Sequence, residues 1–150
     1  MGQAMDKSIE QGELPVGERF VLWAVRQWHC ERALPGEGSL LHRGFQQAGL
    51  AALLPDFAIA MDAFLFGARR AIKINEPSCP GVSRDEATFV ALCGLAQGRF
   101  DGSLTASLDH LMAPTASRAA AARLTTFAVS LGHAGLKLAP ETEEASGRLH

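Results

Sequence analysis

Apolar residues recur at helical spacing along the central part of the chain, and no segment alternates as a strand requires. Val21, Ala24, Val25 and Trp28 fall at i, i+3, i+4 and i+7, which places them on one face of a helix. Tyrosine is absent, and β-branched residues never alternate with polar ones over a useful length. The sequence therefore predicts an all-α protein, a single-domain irregular or orthogonal bundle of about six helices.

Prolines, glycines and capping residues divide this pattern into six predicted helices. We place them at about 18–34, 40–53, 55–74, 84–97, 102–112 and 114–134. Pro55 and Pro114 suit first helical turns because their missing N–H has no partner there. The polar segments 1–16 and 140–150 are predicted to be flexible tails around a helical domain of residues 17–139.

Charge and composition limit the functional classes to which the chain can belong. The chain has 14 Lys and Arg against 16 Asp and Glu, and Arg69-Arg70 is its only adjacent basic pair. A nucleic-acid partner is therefore not expected, because such binders carry a basic face. No apolar run approaches the ~18 residues of a membrane span. Three cysteines are too few for a disulfide framework and residues 1–13 lack an apolar signal region, so we expect a reducing cytoplasm.

The segment from Asn75 to Glu86 contains both helix-breaking residues and residues with possible functional chemistry. The Ser83-x-x-Glu86 spacing predicts a capping box at the start of the fourth helix. Cys79 lies just before this helix, where a thiolate is stabilised, and Arg84 and Asp85 follow closely. The residues predicted to bind a ligand are therefore Cys79, Arg84 and Asp85. In the alternative interpretation the segment is a rigid connector and its cysteine packs as a small apolar residue.

No pattern indicates catalysis, a metal or a cofactor. A G-x-S-x-G elbow, a Walker loop and a Rossmann fingerprint are all absent. The histidines and cysteines are scattered singly, and the adjacent His29 and Cys30 would point about 100° apart on a helix. Cys93 falls on an apolar stripe and is assigned to the core. We therefore predict no metal site and no cofactor, and favour a protein that is not an enzyme.

Two helices carry more apolar or small residues than one buried face needs. Ile59 and Phe66 lie on the otherwise polar side of the third helix. The alanines at 119–122 would permit a neighbouring helix to approach the sixth helix closely. The leading hypothesis is a non-enzymatic interaction or regulatory domain that forms a homodimer through helix 3 or helix 6. The alternative is a helical protein that binds a small molecule or metal near Cys79 and the start of helix 4.

Three short patterns also carry a resemblance. The run from Arg19 to Arg26 (RFVLWAVR), the Cys79-Pro80 loop and the Ser83-x-Asp85-Glu86-Ala87 helix start resemble an uncharacterised family of small all-helical bacterial proteins. The likeness covers most of residues 18–138. Members of that family have more cysteines before the equivalent helix, whereas this chain has only Cys79 there. The resemblance implies a helical fold and supplies no activity.

Overall fold

Six α-helices account for most of the chain that the structure describes. This computed structural model describes residues 9–33 and 39–138. The helices are α1 (Val16–Ala33), α2 (Leu40–Gln47), α3 (Leu54–Phe66), α4 (Arg84–Gln97), α5 (Asp101–Leu111) and α6 (Pro114–His133), with 3-10 turns at Gln11–Glu13 and Ala51–Leu53. Over the described ranges only two isolated β-bridges occur and no strand forms. The prediction of an all-α, single-domain bundle is confirmed.

Five buried phenylalanines form one cluster that joins four of the helices, and Phe20 of α1 lies 5.3 Å from Phe45 at its edge. The Phe57 ring on α3 lies 5.2 Å from the Phe127 ring on α6 and 5.7 Å from the Phe45 ring on α2, measured between centroids. Phe89 on α4 meets Phe57 edge-on at 6.3 Å, and Phe64 lies 5.1 Å from Phe89. All five side chains are buried, so the first three helices and the last three share one core. None of the helices in the described ranges has the length and apolar content to cross a membrane.

The third helix is shorter than the sequence predicts. It ends at Phe66 instead of near residue 74, so Ala68 and Ile72 do not extend its apolar face. Past Gly67 the backbone turns to α5 and α6: the Arg69 amide donates to the Leu111 carbonyl, and the Ala113 amide donates to the Gly67 carbonyl. A Cβ at position 67 would overlap the Ala116 side chain, so glycine permits this close approach. Residues 67–83 are consequently an irregular connection.

The second helix also ends early, at Gln47 instead of about residue 53. Gly49 takes a left-handed conformation with φ of 76°, which an α-helix cannot contain. The predicted cap at Ser39 is confirmed, because its hydroxyl accepts the His42 amide at 3.0 Å. Ser39 in turn donates to Glu31 of α1. Burial raises the pKa of Glu31, but hydrogen bonds from Ser39, Gln27 and the Leu41 amide outweigh it, so the pKa is lowered.

Both ends of the described chain are tied to the bundle. Residues 9–15, which the sequence assigns to a tail, lie along the Cys79 loop through an antiparallel bridge between Glu10 and Gly81. At the other end, the Gln97 side chain donates to the Leu136 carbonyl and accepts the Leu138 amide at 2.8 Å. Local composition does not predict these contacts, because each joins backbone groups to residues far away in the sequence. The rest of the predicted tails, 1–8 and 140–150, lies outside the described residues.

Candidate functional site

The capping box predicted before α4 is present. The Ser83 hydroxyl accepts the Glu86 amide at 3.0 Å, and the Glu86 carboxylate accepts the Ser83 amide at 2.9 Å. The Ser83 hydroxyl also donates to the Lys73 carbonyl at 2.8 Å. The helix start is therefore held both by its own residues and by the preceding connection.

Glu86 does more than cap the helix, because its carboxylate is also half of a buried ion pair. Its partner is Arg26 in the middle of α1, whose Nε lies 2.9 Å from Oε2 and whose Nη2 lies 3.0 Å from Oε1. The backbone N–H of Asn75 donates to the same carboxylate at 2.7 Å. Arg26 is 2% exposed and Glu86 is 0% exposed. Charges buried this deeply require such pairing and hydrogen bonding.

Arg26 also reaches past Glu86 to the Cys79 loop. Its Nη1 donates to the Cys79 carbonyl at 2.7 Å, and its Nη2 donates to the Gly81 carbonyl. The Cys79 carbonyl accepts a second bond, from the Gln11 side chain at 2.7 Å, and Asn75 supplies a second donor to Gly81. A planar guanidinium with several fixed donors suits this task. The loop is thus anchored to α1 through its backbone.

Asp85, the next residue along the helix, has a separate partner. Its buried carboxylate accepts two hydrogen bonds from the exposed Arg70 side chain and one from the Lys73 amide at 2.8 Å. The hydrogen bond from Arg70 is the main cause of the lowered pKa of Asp85, against the opposing effect of burial. Arg84 contributes a weaker electrostatic effect on that pKa. This pair fixes the connection between α3 and α4.

The three residues predicted to bind a ligand are neighbours, but they do not form one hydrogen-bonded group. The Asp85 carboxylate is directed to Arg70, and Arg84 is exposed at the first turn of α4. Cys79 is half-buried, and the hydrogen bonds in the structure involve its backbone. Ligand binding by Cys79, Arg84 and Asp85 stays a prediction.

Metal-ligating side chains do not converge in the described part of the chain. Across residues 9–33 and 39–138, no three His, Cys, Asp or Glu side chains lie where they could hold one ion. Cys30 is exposed, whereas Cys93 is fully buried in the core as its position on the stripe predicts. Burial raises the pKa of the Cys93 thiol.

Arg26 is the important residue that sequence reasoning missed. It lies four residues after Leu22 and two before Trp28, all of them buried on α1. A charged residue inside an apolar face is a signal of a buried pair, since arginine is almost never buried alone. Its partner was not readable, because Glu86 lies 60 residues away and already had a role as a cap.

A second surface differs from the buried polar group around Arg26, because it is apolar and exposed. Four side chains of α3 are exposed: Pro55, Ile59, Asp62 and Phe66, here called the α3 stripe. Their spacing of i, i+4, i+7 and i+11 forms one line about 16 Å long. Phe66 is 61% exposed, and Ile59 is 38% exposed. A helix face that meets only water is normally polar, and this one has a single charge.

An arginine from α1 borders this stripe. The guanidinium carbon of Arg32 lies 4.5 Å from the centre of the Phe66 ring and 5.2 Å from the centre of the Trp28 ring. Such cation–π contacts hold a charge over an aromatic face, and Phe66 is still 61% exposed beside it. Arg32 therefore adds a positive charge next to the apolar end of the α3 stripe.

No protein-family model, curated protein or solved structure matches the chain. The resemblance to small all-helical bacterial proteins stays a prediction. The chain is a six-helix bundle with a buried polar group around Arg26 and an apolar stripe on α3.

Proposed function

We propose that the protein is a non-enzymatic helical interaction domain of a regulatory kind, and that it associates with a second copy through the α3 stripe. The observation that supports this is the composition of the stripe. Three of the four exposed side chains of α3 are apolar, and Phe66 is exposed over 61% of its surface. Exposed apolar surface that is contiguous and rimmed by charge is typical of interaction sites.

The sixth helix is the weaker of the two candidates for the contact. Ala120 packs inward, and the exposed residues of α6 include Arg118, Arg123 and Thr126. Arg123 also forms an ion pair with Asp56 at 2.9 Å. A charged and hydrated helix face loses more on desolvation than an apolar one, so α3 is the preferred contact.

The polar groups near Cys79 also favour an interaction domain over a ligand-binding one. Glu86 and Asp85 are each satisfied by a guanidinium and a backbone amide. Arg26 is committed to Glu86 and to two loop carbonyls. Groups held in this way stabilise the fold. A ligand could bind to them only by breaking several buried hydrogen bonds.

The small exposed apolar area of Phe66 favours a weak association. With about 200 Å² for a phenylalanine side chain, the 61% exposure of Phe66 amounts to roughly 120 Å². Stable specific complexes bury about 800 Å² on each partner, several times what Phe66 supplies. We therefore expect a dimer whose dissociation constant is micromolar or weaker.

Sedimentation equilibrium of the full chain tests the proposal between roughly 1 and 300 μM, a range chosen to span that affinity. The expected result is a mean mass that rises with concentration for the wild type and stays at the monomer value for Phe66→Ser. A wild type that remains strictly monomeric over this range contradicts the proposal.

A matched control distinguishes a specific contact from non-specific hydrophobic association. Val16 is also 61% exposed, but it begins α1, about 24 Å along the helix from Arg32. Val16→Ser should dimerise as the wild type does. If Val16→Ser and Phe66→Ser weaken the association equally, the α3 stripe is not the contact. Circular dichroism of each variant confirms that its helices are retained.

A further inference from the structure

Among the described residues, two opposite charges lie on or beside the α3 stripe. Asp62 lies on the stripe between Ile59 and Phe66, and Arg32 lies over the Phe66 ring. Asp62 forms no ion pair within the part of the chain that the structure describes. A surface with equal and opposite charges complements itself when a two-fold axis relates two copies.

We propose that the second copy docks about a two-fold axis that passes between Asp62 and Ala63, with Arg32 of each copy paired to Asp62 of the other. This inference rests on the proposed function and adds the orientation of the partner. Ile59 and Phe66 lie equally far from that axis along α3, so antiparallel packing of the two helices sets each Phe66 against Ile59 of the second copy.

The position of Arg32 makes the cross-pair feasible. Because Arg32 covers Phe66, it lies beside Ile59 of the second copy in this arrangement. Asp62 is three residues further along that helix, a rise of about 4.5 Å and on the same side. The long arginine side chain can span this distance and keep its contact with the aromatic ring.

The charges also argue for a second copy over other occupants. A strongly acidic partner would meet Asp62, and a strongly basic one would meet Arg32. Like-charge contacts of this kind oppose binding, whereas a copy of the same surface places unlike charges together twice. A segment of the same chain or an unrelated apolar partner would gain nothing from that symmetry.

Charge exchange between the two positions tests the inference. Arg32→Glu and Asp62→Lys should each weaken self-association about tenfold, because each homodimer then has two like-charge contacts. In an equimolar mixture of the two variants, both contacts in the mixed dimer join opposite charges. The mixture should therefore associate within about threefold of the wild-type dissociation constant.

The control exchange uses charges away from the stripe. Arg19 and Glu76 are exposed, so Arg19→Glu and Glu76→Lys alter net charge by the same amounts. Neither variant should change the affinity beyond about twofold, and mixing them should produce no gain.

The outcomes distinguish the inference from the proposal beneath it. If the wild type dimerises and Phe66→Ser abolishes it, but mixing Arg32→Glu with Asp62→Lys restores nothing, the two-fold cross-pairing is wrong and the interaction domain stands. If the wild type is monomeric, both are wrong. Association that is weakened in each variant alone and recovers in the mixture supports both, since it shows that position 32 of one copy faces position 62 of the other.

Discussion

Arg26 and Glu86, 60 residues apart in sequence, form a fully buried ion pair that joins the middle of α1 to the start of α4. The pair has two parallel hydrogen bonds of 2.9 and 3.0 Å. Both groups also bond to the loop between Asn75 and Ser83, so the same two side chains fix a helix start, a loop and a helix–helix contact. Bidentate geometry of this kind is strong and directional.

Glu86→Gln should lower the free energy of unfolding by about 3–5 kcal/mol, because it leaves the buried Arg26 charge without its counter-ion. The glutamine carbonyl can still accept the Ser83 amide, but its NH2 then faces the Arg26 Nε and Asn75 N–H donors, so the loss reports the carboxylate's charge and its hydrogen bonds together. Urea unfolding at pH 7 provides the measurement. Glu76→Gln, at an exposed position, should change stability by less than about 0.5 kcal/mol.

A double-mutant cycle with Arg26→Met completes this test. Once Arg26 is replaced, Glu86→Gln should cost much less than it does in the wild type, since no buried cation remains. Losses that simply add would show that the two side chains act independently, contrary to the geometry.

Acid should remove the stability that Asp85 contributes. The Arg70 hydrogen bond lowers the pKa of Asp85 in the folded state from its ordinary value of 3.8. A lowered folded pKa means that the contribution is complete above the unfolded pKa and is lost as the pH falls through the folded value. Urea midpoints measured from pH 7 to about pH 2 should therefore fall more steeply for the wild type than for Asp85→Asn.

Glu31 offers an independent comparison for the acid series. Its pKa is also lowered, through hydrogen bonds far from Asp85, so Glu31→Gln should remove a separate part of the acid sensitivity. An Asp85→Asn protein that keeps the full wild-type pH slope would contradict the assigned role of the Arg70 pair.

Gly44 should not tolerate a methyl group, although it lies inside a helix. A Cβ at this position would overlap the Trp23 ring, so Gly44→Ala should cost about 1–3 kcal/mol despite the better helix propensity of alanine. Gly102, in α5, has open space around it, and Gly102→Ala should stabilise by about 0.5–1 kcal/mol. Thermal unfolding compares the two, and a stabilising Gly44→Ala would disprove the contact.

The Cys93 thiol should be inert in the folded protein. It is fully buried, and burial raises its pKa, so almost no reactive thiolate is present at neutral pH. Titration with a disulfide reagent should modify Cys93 only at the rate of unfolding, while the exposed Cys30 reacts at once. A Cys93 that reacts as fast as Cys30 would show that the core opens locally.

The same chemistry tests the predicted ligand site. In a Cys30→Ser protein the half-buried Cys79 is the thiol that remains open to reaction in the folded state. A site built around Cys79 and Arg84 predicts that this thiol reacts faster than a model thiol at neutral pH. A slower reaction supports the connector interpretation.

Local patterns in the sequence were sufficient to predict most of the helices. Four helices, α1, α4, α5 and α6, begin and end within about two residues of the predicted bounds, and the caps at Ser39 and Ser83 were predicted correctly. These features depend on residues within four positions of one another, where helical periodicity and capping chemistry operate. The exposed pair Ile59 and Phe66 was readable for the same reason.

The end of α3, the partner of Arg26 and the course of residues 9–15 depend on the tertiary structure. Gly67 ends α3 where the chain meets Ala116, and Arg26 is buried only because Glu86 is carried to it by the packing of α1 and α4. Short-range spacing of apolar and capping residues is sufficient to define the helices and their apolar faces. The anchor of the Cys79 loop was decided by the assembled bundle, since desolvated charges and close backbone contacts join residues that lie tens of positions apart.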